Sequence, residues 1–379
     1  MLAPGTGPGM SNAAGLVISG GRIERVLGAN DPVPVGAPVL DFRPHLIAPG
    51  TIDVHTHGAV ECSFSSGPAD DTLAICRYRA TTGATGLLAT ITGRWDELLA
   101  ALAKLGRLCG SDTAGAQLLG IHVEGPFLNP VRKGAIDAAT MRAPSIDDLR
   151  RMQEAAQGHV KMMTVAPELP GALRAIEAMV AMDIVPSIGH SDAAYEQALD
   201  AASAGAKKST HTFNAMRPLL HRDPGTVGGV LADGRLVAEL IADGVHVHEG
   251  AMRVLLNAKG PSGTVLVTDG VRYAGLPEGI YERPGRGRTA IKDGVALADD
   301  GTIAGSVSPM NRDLLLLRDR LHIPADHLFE MAAAMPARLL GLERCKGMLS
   351  PGMDADFAVY DHDLNCLATY VAGKQVYAQ

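Results

Sequence analysis

The sequence has few cysteines and no paired ones. Its five (Cys62, Cys76, Cys109, Cys345 and Cys366) are odd in number, scattered and never in a CxxC pair. That argues against a disulfide framework and against a thiolate zinc site, and leaves buried free thiols as the expectation. No apolar run approaches the roughly 20 residues that a membrane span requires. Excess basic charge is missing too: the formal net charge is −7, which argues against non-specific binding to nucleic acid or anionic lipid. The opening MLAPGTGPGMSNAAG lacks the basic start and apolar stretch of a signal peptide, so a loose tail on a cytoplasmic protein is expected. A small-molecule substrate is the reading that survives these exclusions.

What is present is a chain of 379 residues, 46% hydrophobic and 20% charged, ordinary values for a globular protein. From about residue 50 to 345, short aliphatic or β-branched runs alternate with longer amphipathic stretches. Eight strands are predicted: 51–58, 85–90, 116–125, 160–166, 183–190, 207–213, 236–243 and 264–269. The intervening helices carry physical signals. Ser145 precedes IDDLRRMQEAAQ, with Asp148 three residues on as a capping-box partner and Gly158 beyond the end. Leu98, Leu102 and Leu105 fall at i, i+4 and i+7, giving one apolar face. Eight such units predict a (β/α)8 barrel over 49–345. An open doubly wound sheet is the alternative, but no GxGxxG follows the first strand. The ends differ: 16–28, 38–50 and 354–378 are strand-like runs separated by Gly, Asp and Pro, so 1–48 and 346–379 are predicted to meet as one small β domain. Segment 271–309, rich in Gly and broken by Pro284, is expected to be a long loop or hairpin after the eighth strand.

In a barrel, side chains at the C-terminal ends of strands converge on one face. His55 and His57 fall there on the first strand, Glu124 on the third, His190 on the fifth, His211 on the sixth and Asp269 on the eighth. Two residues apart in a strand, His55 and His57 point to the same side and can share a metal. Taken singly, each has a plainer explanation. The HxH pair occurs by chance, a strand-end carboxylate such as Glu124 or Asp269 can cap the next helix, and a lone His190 or His211 is more often a satisfied core histidine. Together, the five of them that could hold a metal (His55, His57, Glu124, His190 and His211) would be costly left unpaired at one end of an apolar core, whereas imidazoles and carboxylates are the ligands that Zn²⁺ and similar ions favour. His122 reads as buried packing or support on the same strand face as Glu124.

The motifs APGTIDVHTHG, HVEGPF, GHSDA, THTFNAM and VTDG, with RDPG, IADGVHV, AGS and SPGMDADFAVYD, resemble the N-acetylglucosamine-6-phosphate deacetylases of the amidohydrolase superfamily over nearly the whole chain. HVEGPF (122–127) and FNAM (213–216) are the specific ones; many amidohydrolases share HxH. The resemblance implies a (β/α)8 barrel flanked by a β-sandwich from both termini, a homodimer, and metal-dependent release of acetate from the sugar phosphate in amino-sugar catabolism and cell-wall recycling. It implies that Glu124, His190 and His211 bind the catalytic divalent metal, most simply Zn²⁺, and that His55 and His57 form a second position with Glu124 as bridge. Asp269 is then the general base and acid. Substrate contacts are implied for Ala135, Asn214, Ala215, Arg222 and His246, with arginine reaching the phosphate across the dimer. Without the resemblance, Arg222 reads as a solvated loop residue and His246 as a loop or helix-start residue, as His221 and His248 still do.

Family members that lack HxH use one metal, and many carry a histidine in a KGAH-type segment that polarises the substrate carbonyl. Here the segment reads KGAID, and Ile136 cannot donate that hydrogen bond. Gain of HxH and loss of the other histidine fit one reading: two ions per chain, the second in place of the missing donor. An amidohydrolase acting on another amide, cyclic or from another N-acetyl amino sugar, is the alternative, and HVEGPF and FNAM argue against it. A scaffold that has lost its metal would show broken ligands, and none is broken. Met335 stands where the family more often has a small polar residue, without a functional account.

Overall fold

A computed structural model of the protein describes residues 13–283, 287–292, 294–298 and 301–379. Residues 1–12 of the expected tail, and Pro284, lie outside them. The N-terminal strands β1 (Ala13–Ser19) and β2 (Arg22–Gly28) form an antiparallel hairpin, and β3 (Leu46–Pro49) leads into β4 (Thr51–Thr56). The strands β5 (Ala84–Ile91), β6 (Gln117–Glu124), β7 (Val160–Val165), β8 (Val185–Ile188), β9 (Lys208–Ser209), β10 (Ala238–Ile241) and β11 (Thr264–Val267) follow, almost entirely buried. Strands β4 to β9 pair in parallel in sequence order, as do β10 and β11. Ser209 donates its N–H to the carbonyl of Val237 (2.9 Å), joining β9 to β10, and Asp269 donates to the carbonyl of His55 (2.9 Å), joining the end of β11 to β4. The eight strands therefore close into a barrel, as predicted.

Each predicted strand is present, but several stop earlier. The fifth ends at Ile188 rather than 190 and the sixth at Ser209 rather than 213, because His190, His211, Phe213 and Ala215 take left-handed backbone conformations that end strand pairing. Helix Ile146–Ala155 begins as expected, Ser145 Oγ accepting from Asp148 N at 3.2 Å. The reciprocal half of the capping box is replaced, since the Asp148 carboxylate accepts from Arg142 Nε at 2.9 Å. Leu98, Leu102 and Leu105 are buried on one face of helix Trp95–Leu108.

Segment 271–309 is not a loop but extends the hairpin alternative into a sheet. It holds β12 (Gly279–Arg283), β13 (Gly287–Lys292), β14 (Val295–Ala298) and β15 (Ile303–Ser306), an antiparallel four-stranded sheet. These strands are four to six residues long, too short to impose a clear period, and Ile291 and Ala296 gain a core only by meeting Tyr273. The last strand returns to the barrel mouth, where Ser306 N donates to the Asp269 carbonyl at 3.1 Å.

At the C-terminus β16 (Phe357–Tyr360), β17 (Cys366–Val371) and β18 (Lys374–Ala378) form a second antiparallel sheet with β3 at its other edge. Of the run 38–50 only 46–49 is strand; Pro38 and Pro44 bring no N–H for a ladder. Ile23 of the N-terminal hairpin shares a cluster with Leu349, Phe357, Val359 and Tyr370, so the two ends of the chain meet. Met335 is buried beside Ile52, Val54, Met162 and Val267 from the barrel strands, a packing role for that residue. All five cysteines are free, Cys76 and Cys366 buried and the other three partly exposed.

Candidate functional site

His55 and His57 leave the end of β4 with their Nε2 atoms 3.3 Å apart. Glu124, the last residue of β6, sends Oε1 to His190 Nε2 (3.1 Å) and His211 Nε2 (3.0 Å), and Oε2 to His57 Nε2 (3.2 Å). Asp269 Oδ1 lies 3.3 Å from His55 Nε2 and 3.4 Å from His57 Nε2. Ligand atoms of Glu124, His190 and His211 form one tight group, and those of His55, His57 and Asp269 another. Glu124 faces both. All six residues are buried or nearly so.

The donor nitrogens are committed in a consistent way. His190 Nδ1 donates to the Arg132 carbonyl (2.9 Å), His211 Nδ1 to the Asn214 carbonyl (3.2 Å), and His55 Nδ1 to the Glu239 carboxylate (2.7 Å). With Nδ1 donating, a neutral ring keeps an Nε2 lone pair for an ion and a protonated ring donates from Nε2 to a carboxylate; these Nε2 atoms turn toward one another and toward Glu124. Four imidazole Nε2 atoms gathered around carboxylates is the donor chemistry of a divalent ion. His190, His211 and Asp269 have φ of 48°, 32° and 47°, conformations that cost non-glycine residues of order 1 kcal/mol or more and gather at functional sites.

Charge follows from this crowding. Burial opposes ionisation of Glu124, but the histidines beside it, His190 and His211 first, hold its carboxyl well below the usual range. Burial likewise opposes ionisation of Asp269, and His55 and His57 outweigh it, lowering its pKa. Burial disfavours the charged ring of His57, yet the Asp269 and Glu124 carboxylates push it up to about 10. A proton there stands in for the positive charge that an ion would bring. His122, fully buried, is driven well below its ordinary value by burial, and its Nε2 lies 2.8 Å from Thr164 Oγ1. It is packing beside the site rather than a ligand.

The other expected residues lie on loops around this centre. Gly134 sits against His190, its added Cβ falling 3.4 Å from His190 Cε1, which brings Ala135 and Ile136 to the rim. Asn214 N is already engaged by the His211 carbonyl (2.9 Å), and Ala215 follows it at φ 52°. Arg222 is exposed in the loop before helix Gly225–Ala232. His246 Nδ1 pairs with Asp243 Oδ2 at 2.6 Å. Burial disfavours its charged form, but Asp243 overrides that and raises its pKa. His248 caps helix Glu249–Lys259 through Gly250 N.

Two residues escaped the sequence reading. Glu239 and Lys208 are fully buried and ion-paired, and Glu239 also holds His55. The available signal was Glu239, a charged side chain interrupting the apolar strand Ala238–Ile241, where burial demands a partner; Lys208, in the polar run KKSTHT, gave none.

The amidohydrolase family profile matches residues 46–376. The chain is 34% identical to an N-acetylglucosamine-6-phosphate deacetylase of Bacillus subtilis, covering 94% of this chain and 91% of that one. It is 33% identical to an N-acetylgalactosamine-6-phosphate deacetylase of Escherichia coli O157:H7, covering 92% of each. Among solved structures, a mutant N-acetyl-D-glucosamine-6-phosphate deacetylase from Mycobacterium smegmatis, in complex with N-acetyl-D-glucosamine-6-phosphate, superposes with a TM-score of 0.88 at 33% identity, over 96% of this chain and 94% of that one. With a matched profile over most of its length, and with relatives a third identical over more than nine-tenths of it, the chain belongs to the amidohydrolase family.

Proposed function

We propose that the chain hydrolyses the N-acetyl group of N-acetylglucosamine-6-phosphate, giving glucosamine-6-phosphate and acetate. The observation that carries this is the convergence of four imidazole Nε2 atoms on Glu124, with Asp269 against two of them, in a chain a third identical to such deacetylases. Glu124, His190 and His211 would hold one divalent ion, and His55 and His57, with Glu124 between, a second; zinc suits the nitrogen-rich set. When bound, such ions supply a water ionised near neutral pH and positive charge for an amide oxygen. Asp269 then accepts the proton of the attacking water and returns it to the departing sugar nitrogen. Ile136 offers no hydrogen bond to the amide oxygen, which favours two ions over one. Arg222 and a charged His246 are assigned to the phosphate, with Ala135, Asn214 and Ala215 lining the sugar. We read residues 1–48 and 346–379 as a small β-sandwich beside the catalytic barrel of 49–345, and the working unit as a homodimer.

The galactosamine relative makes the epimer the open alternative. Acetate release is measured from N-acetylglucosamine-6-phosphate, its galacto epimer and the unphosphorylated sugar, with and without chelator. The gluco phosphate is expected to be turned over fastest and to stop with chelator. Faster release from the galacto epimer would move the assignment to that sugar, and no release from any of them would remove it.

A further inference from the structure

Beside the His55 position lies the buried charge pair that the proposed chemistry does not use. Glu239 sits within β10 and Lys208 within β9, both at 0% exposure. The two oxygens of Glu239 divide their work. Oε1 accepts from His55 Nδ1 at 2.7 Å and from the main-chain N–H of His211 at 2.8 Å; Oε2 accepts from the Lys208 ammonium. Lys208 donates also to Ser187 Oγ at 3.1 Å. A buried pair of this kind is weak evidence for stability, since well-packed apolar residues commonly serve as well or better. Its position suggests another use.

An ionised carboxylate can only accept a hydrogen bond. Facing Glu239, the His55 ring must therefore carry its proton on Nδ1, which leaves Nε2 as a bare donor 3.3 Å from His57 Nε2 and 3.3 Å from Asp269 Oδ1. Carbonyl oxygens perform this task for His190 and His211, whereas His55 Nδ1 meets a full negative charge, a charge-assisted bond that holds the ring more firmly. Resting on the two-ion reading above, we infer that Glu239, with Lys208 as counter-charge, is a positioning residue that fixes the His55 tautomer and sets how tightly the His55, His57 and Asp269 position holds a divalent ion.

The test is calorimetric zinc titration of the chelator-stripped wild type, of Glu239→Gln, and of Glu239→Gln with Lys208→Met, which leaves no unpaired ammonium. Alongside it, ¹⁵N spectra of the zinc-loaded wild type read which His55 nitrogen carries the proton. We expect two ions in the wild type, and in both variants one ion held as before and the other weaker by roughly 10- to 100-fold. His55 should be protonated at Nδ1. Variants that take both ions at wild-type affinity overturn this inference and leave the two-ion reading standing, whereas a zinc-loaded His55 protonated at Nε2 overturns both. A wild type that never takes a second ion overturns both. The wild-type spectrum decides the matter even where a variant does not fold.

Discussion

Substitution of Asp269 is expected to separate metal binding from turnover. Asp269 is within 3.4 Å of both HxH histidines, yet it belongs to a different group from Glu124, His190 and His211. Asp269→Asn should therefore lower acetate release by about 10²- to 10⁴-fold, the usual worth of a general acid or base, while elemental analysis still finds zinc at the Glu124 group; wild-type turnover would refute the role. His246 gives a pH dependence. Its pKa is raised above the ordinary 6.5 by Asp243 against the pull of burial. Any stability from that pair is then fully present below 6.5 and is lost as pH rises through the folded value. Phosphate affinity follows the same sign, because only the charged ring attracts the anion. KM should rise as pH climbs above 6.5 and through that value, after the phosphate itself is ionised (second pKa about 6), and His246→Gln should flatten the rise. A KM already flat in the wild type would remove His246 from the phosphate site. At this scale HxH was legible because a period of two dictates direction in a strand. Glu239 was not, because its partners Lys208 and His55 are 31 and 184 positions away and become neighbours only when the barrel closes.

Helix Ile146–Ala155 illustrates what an element owes to local sequence. Ser145 Oγ satisfies Asp148 N, so Ser145→Ala should lower unfolding free energy by about 1 kcal/mol in a denaturant titration, with acetate release unchanged. An unaltered midpoint would contradict the cap. Most strand starts were legible locally, each opening an apolar run; β9 opens instead on the polar Lys208–Ser209. Strand ends were not. His190, His211 and Asp269 leave their strands in left-handed conformations that are uncommon for any residue with a side chain, though less so for His and Asp; packing of the loops against the site selects them. The sheet from β12 to β15 was missed because its inward residues Ile291 and Ala296 find their core only beside Tyr273.

For the whole molecule, the closed barrel follows from eight repeated units, and the meeting of the termini from their lack of helical pattern. What the terminal sheet contributes can be measured. Deleting residues 357–379 removes β16, β17 and β18, takes away the partner of β3, and uncovers Ile23 and Leu349. The shortened chain should lose cooperative thermal unfolding or fail to stay in solution, whereas melting at the wild-type temperature would show the sheet to be dispensable. Among the described residues no helix is long and apolar enough to cross a membrane. The barrel mouth, where the histidines and Asp269 gather, is where the chemistry is to be tested. The most direct measurement returns zinc stepwise to the chelator-stripped chain while acetate release from N-acetylglucosamine-6-phosphate is followed. Two ions sharing Glu124 predict activity that becomes complete only at two equivalents per chain; full activity at one equivalent would contradict that account.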